Sequence, residues 1–173
     1  MFKMTIALFL ILYSTSTQAQ FISKRTVDSS GAIMIFTTLD TLALNPEFCA
    51  VEGMIFNADS VNYYALIFYF NVSKTIFLTN KDKISIRYND GEVYEEFVYT
   101  EGDLFSEGRL AKIMLPFSEN GLKKMNCNSV TSISLITDKF RQTIKQNEIY
   151  NKSFQNLAEY MLHVNVYDEN GIN

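Results

Sequence analysis

Residues 62–72 read NYYALIFYFNV, the most apolar stretch of the chain after its first residues. Eight side chains in succession, from Tyr63 to Phe70, are aromatic, branched or small and apolar. That is too short for a helix crossing a bilayer, which takes about 20 residues, and it matches the length and composition of a strand. Because the run does not alternate with polar residues, both faces of the strand are expected to be covered, as in a central strand between two layers. An exposed aromatic surface for ligand capture is the alternative, and it is disfavoured because large bare apolar patches are a liability for a soluble domain.

Outward from this strand, Ile84-Ser85-Ile86-Arg87-Tyr88 alternates strictly, so Ile84, Ile86 and Tyr88 share the buried face of a half-covered strand. Asn89-Asp90-Gly91 then offers residues that tolerate positive φ, and residues 93–99 return to a strand-like composition, giving a hairpin. Further strands are expected at 32–38, 54–57, 75–78, 110–115 and 130–137. A short helix is expected after Pro116-Phe117, capped by Ser118 and reaching about Met125, with Gly121 costing it roughly 1 kcal/mol against alanine. A second helix over 153–163 places Phe154, Leu157, Ala158, Met161 and Leu162 on one stripe that should pack on a sheet. Residues 164–167 could add an edge strand, and 168–173 a loose tail. The pattern predicts a mainly β, α+β fold: an antiparallel β-sandwich or bent sheet with a short helix and a C-terminal packing helix.

The first residues carry a different signal. Met1-Phe2-Lys3-Met4 is a short positive start, residues 5–13 form an apolar core, and Thr17 and Ala19 supply a small-x-small cleavage pattern. Residues 1–19 are therefore expected to be a signal peptide and 20–173 a single globular domain, secreted or periplasmic after cleavage near Ala19. The chain has 15 basic and 19 acidic side chains, net −4, and loses one more positive charge with Lys3. Phosphate attraction gains little from that balance, so no nucleic-acid partner is expected, and neither is stable membrane insertion.

Two cysteines, Cys49 and Cys127, in an oxidising compartment point to one disulfide, the alternative being two buried thiols. With a single histidine, His163, expected on the surface at a helix C-terminus, neither a metal site nor an imidazole-activated nucleophile is indicated, and no cofactor is expected. Glu92, Glu95, Glu96, Glu101 and Asp103 fall in one segment, as a carboxylate-dependent, glycosidase-like hydrolase would need; a solvated hairpin face is the commoner meaning of such a cluster. The same stretch lacks the ligand spacing of a calcium loop. Tyr63, Tyr64, Tyr94 and Tyr99 could stack on sugar rings, although strand packing explains tyrosines more often.

The succession "ISIRYNDGEVYEEF", "LPFSENGLKKM", "VTSISLITD" and a closing helix resembles small secreted domains of unknown function typical of Bacteroidetes-type Gram-negative bacteria. The resemblance spans roughly residues 60–163 and implies a fold neighbourhood and an envelope location, with no catalytic residue to transfer. The expected function is thus a non-catalytic binding or interaction domain for an envelope protein or glycan, with Glu92, Tyr94, Glu95, Glu96 and Tyr99 as candidate surface. The alternatives are the hydrolase and a structural accessory subunit of an envelope assembly.

Overall fold

A computed structural model describes residues 22–43, 48–72, 78–98, 104–105 and 110–167. The proposed leader, residues 75–77 of the strand expected at 75–78, and the tail after 167 lie outside the described residues.

The first sheet takes its strands in the order β1 (Ile22–Val27), β2 (Ile33–Thr37), β4 (Cys49–Ala58), β5 (Val61–Asn71), β9 (Leu110–Phe117) and β8 (Leu104–Phe105), with β3 (Asp40–Ala43) also pairing with β4. The second takes β11 (Arg141–Lys145), β10 (Val130–Ile136), β6 (Lys83–Tyr88) and β7 (Val93–Phe97). All pairings are antiparallel, and the two sheets pack against each other with two helices, α1 (Glu119–Cys127) and α2 (Glu148–His163). One hydrophobic cluster unites residues of both sheets and both helices, so the expected α+β sandwich is the observed fold.

The decisive stretch is β5, a central strand between β4 and β9. Its inward residues Leu66, Phe68 and Phe70 are fully buried, and Phe68 stacks on Phe154 of α2 with ring centroids 6.2 Å apart. Its outward residues Ala65 and Ile67 are also buried, so both faces are closed through the middle of the strand. The strand opens toward its ends, where Val61 is 50% and Tyr63 58% exposed beside the β4–β5 turn. That turn has two residues, Asp59 and Ser60, both with positive φ (51° and 64°), the backbone that matches the right-handed twist of a hairpin.

Helix α2 lies directly on β4. A Cβ added at Gly53 would come within 2.6 Å of Met161 Sδ and 3.0 Å of Leu157 Cδ1, so glycine leaves the room that these two helix side chains fill. The break between β2 and β3 is bridged by Thr37, whose Oγ1 accepts from the Gly53 backbone N–H at 2.8 Å in a buried position. This supplies the ladder bond that the bend removes.

Both helix starts follow from their caps. Ser118 Oγ accepts from Gly121 N at 3.0 Å, as expected, and Asn147 Oδ1 accepts from Tyr150 N at 3.0 Å, so α2 is capped at Asn147 and not at the expected Ser153. Gly121 is dictated by packing: a Cβ there would meet the Phe117 ring at 2.8 Å.

Two expectations are corrected. The disulfide does not form: Cys49 is an inward residue of β4, fully buried opposite Phe70, whereas Cys127 is exposed at the end of α1, and both are free thiols. Residues 164–167 are not a strand. Val164 N–H closes α2 onto Tyr160 O, Val166 drops into the core, and Tyr167 Oη donates to Asn57 Oδ1 at 3.1 Å. Strands β1, β3, β8 and β11, which fall outside the expected strands, are present. Among the described residues no helix is long and apolar enough to cross a membrane.

Candidate binding surface

The β6–β7 hairpin has two unlike faces. On the inner one Ile84, Ile86 and Tyr88 are buried, and the turn closes with Gly91 at φ 87° and Tyr88 N donating to Glu92 O at 2.9 Å. Lys124 of α1 ties this turn down: its ammonium lies 5.0 Å from the Tyr88 ring centroid, 3.3 Å from Asp90 Oδ2, and also pairs with Glu92. Burial, with smaller contributions from Tyr94 and Asp90, pushes the Tyr88 phenol up to about 12.

The candidate residues do not converge. Tyr94 turns inward, its ring 4.8 Å from that of Phe117 and its Oη donating to Pro116 O at 3.2 Å; burial, then the Glu96 charge, raises its phenol above the ordinary value. It is a packing residue with one polar end, as is half-buried Tyr64. Glu92 is engaged by Lys124. Glu95 and Glu96 are neighbours in a strand and point to opposite faces. Glu95 pairs with Lys83 at 3.8 Å, and Glu96 Oε1 accepts from Phe97 N at 3.2 Å. Tyr99, Glu101 and Asp103 lie outside the described residues. Glu92 and Glu96, which share a parity, are four residues apart, roughly 13 Å along a strand, beyond the spacing of a glycosidase pair.

A different surface emerges from the register. On the outward face of the second sheet, the pairings align Lys145, Ser132, Arg87 and Val93 in one row across β11, β10, β6 and β7. The next row is Thr143, Ser134, Ser85 and Glu95. The third is Arg141, Ile136, Lys83 and Phe97. Ser134 and Thr143 hydroxyls are hydrogen-bonded at 2.8 Å, and Lys83 sits 4.8 Å above the Phe97 ring. Four cations therefore surround a hydroxyl row, with Glu95 the one carboxylate among these twelve positions. The sequence carries the signal in the polar beat of its alternation, Lys83-x-Ser85-x-Arg87 and Arg141-x-Thr143-x-Lys145, which the acidic segment overshadows.

A cleft of about 340 Å3 opens between α1 and the end of α2, lined by Glu119, Lys123, Asn126, Cys127, Leu162 and His163. Its polar groups are largely occupied: Glu119 pairs with Lys123 at 2.6 Å, and His163 Nδ1 donates to Glu159 O at 2.8 Å, since a carbonyl can only accept. No group of three metal-ligating side chains occurs among the described residues. Comparison with protein-family models, with characterised proteins and with solved structures returned no match.

Proposed function

We propose that this protein is a non-catalytic binding domain, exported to the periplasm or exterior by cleavage near Ala19, that engages an envelope partner through the outward face of its second sheet. The observation that carries this is the division of labour in β6, β10 and β11. Their inward side chains, Ile84, Ile86, Ile133, Leu135 and Ile144, build the core, while their outward ones contribute little to it. Binding and catalytic surfaces concentrate where side chains are freed from packing on a rigid scaffold. The paired or oppositely directed carboxylates of the hairpin weigh against the hydrolase.

The test is photo-cross-linking in the exported protein. A cross-linker in place of Ser132 or Thr143 is expected to capture a partner, and one at Tyr63, exposed on the first sheet, or at Ile149, exposed in the first turn of α2 and outside both sheets, is not. Adducts from Tyr63 or Ile149 and none from the sheet would defeat the reading. The exported chain should begin at Gln20 by intact mass, and retention of residues 1–19 would defeat its export step.

A further inference from the structure

We propose that the outward face of the second sheet binds an acidic glycan, a polymer of hydroxyl-bearing sugar rings carrying carboxylate or sulfate groups; this rests on that face being the binding surface. Charge complementarity comes first. Although acidic residues outnumber basic ones in the chain, Lys83, Arg87, Arg141 and Lys145 gather here against Glu95 alone. Arg87, Arg141 and Lys145 make no ion pair among the described residues. Strand geometry fixes their spacing. Lys83 and Arg87 are four residues apart on β6, as are Arg141 and Lys145 on β11, roughly 13 Å in each case, with the two strands roughly 10 Å apart. An arginine and a lysine thus stand at the ends of each strand, the two arginines on one diagonal. Arginine's planar fork suits carboxylate and sulfate oxygens, and a spread of single cations suits anions spaced along a polymer better than one compact anion.

The middle row selects among polyanions. Exposed Thr143 offers a hydroxyl that can both donate and accept, the chemistry that sugar hydroxyls present in return, and it is held by the buried Ser134 hydroxyl beneath the cations. Ser85 is 5% exposed, and its hydroxyl has no hydrogen-bond partner among the described residues. A sheet that reads single-stranded nucleic acid needs aromatic rings on which bases stack. Here Phe97 is the one aromatic of the face, at a corner, with Lys83 over its ring. A membrane-surface element would instead combine its cations with an apolar stripe, and the centre of this face is hydroxylic.

Binding of oligogalacturonate, dextran sulfate, neutral dextran, oligothymidylate of matched charge and phosphatidylglycerol vesicles to the exported protein tests this. The acidic glycans are expected to bind, more weakly as salt rises, and neutral dextran not to bind. Arg87→Ala and Arg141→Ala should each weaken binding roughly tenfold, the loss of a charge-assisted hydrogen bond, with melting unchanged. Arg87→Lys should fall between, because it keeps the charge and loses the fork. No binding of either acidic glycan, equal binding of oligothymidylate or vesicles, or indifference to both arginine variants would overturn the proposal. If Thr143 cross-links a partner while no acidic glycan binds, the ligand class fails and the binding face stands; if cross-links arise elsewhere, both fail.

Discussion

Strands β5 and β6 are both central, yet one is closed on two faces and the other on one. In β5 the residues of both parities disappear, Leu66, Phe68 and Phe70 toward α2 and the second sheet, Ala65 and Ile67 on the opposite side. In β6 the inward Ile84, Ile86 and Tyr88 are buried, while on the outward side only the small Ser85 is covered, Arg87 stays in water and Lys83 half so. The difference teaches that apolar content tracks the number of covered faces, and that a strand closed on one side leaves the other free for a different task. In this protein β5 holds the body together and the second sheet presents a surface.

The largest contrast should appear in stability. Phe68→Ala removes a fully buried ring that touches α2 and is expected to cost about 3–5 kcal/mol. Arg87→Ala, outward on the second sheet, should stay within about 0.5 kcal/mol. Urea unfolding of the two variants measures both. Comparable losses would mean that the outward face of β6 is structural, and the comparison would break.

This contrast also explains how far the sequence could be read. The unbroken run in β5, the alternation of β6, the Asn89-Asp90-Gly91 turn and the Ser118 cap are local signals, and the structure follows each. Strands β1 and β11 gave no such signal because each buries a single side chain, Ile22 and Ile144, so neither has an apolar beat. The β4–β5 turn escaped notice because Asp59-Ser60 takes positive φ without a glycine. Helix α2 looked shorter because Ile149 in its first turn is 75% exposed and off the stripe. The outward grid was hidden for another reason: it joins residues 83–97 with 132–145, and only cross-strand register brings them together.

A smaller effect distinguishes the two faces of β6 by pH. Tyr88 faces inward, and its phenol is pushed from an ordinary 10.0 up to about 12. The folded state therefore holds this proton more tightly than the unfolded chain does. The associated stability is complete below about pH 10 and drains away as pH rises toward about 12. Phenolate absorbance should show late-titrating tyrosines, Tyr88 and Tyr69 among them, and chemical unfolding should show a decline over that interval that Tyr88→Phe lessens. A Tyr88→Phe profile as steep as the parent's would place the alkaline loss elsewhere.

The smallest expected effect is none at all, and it concerns the cysteines that the two regions do not join. A Cys49–Cys127 bond would close a loop long enough to contribute about 4 kcal/mol in the chain-entropy model, so a reductant would lower the melting temperature measurably. With Cys49 inward on β4 and Cys127 exposed on α1, dithiothreitol should leave melting unchanged. Burial raises the Cys49 thiol pKa far above the ordinary value, which removes the reactive thiolate, so a thiol reagent should label Cys127 in the folded protein and Cys49 only after unfolding. Two labels under denaturing, non-reducing conditions would complete the picture. No label under those conditions would instead reveal a bond between β4 and α1, and the packing of Cys49 against Phe70 would then have to rearrange to allow it.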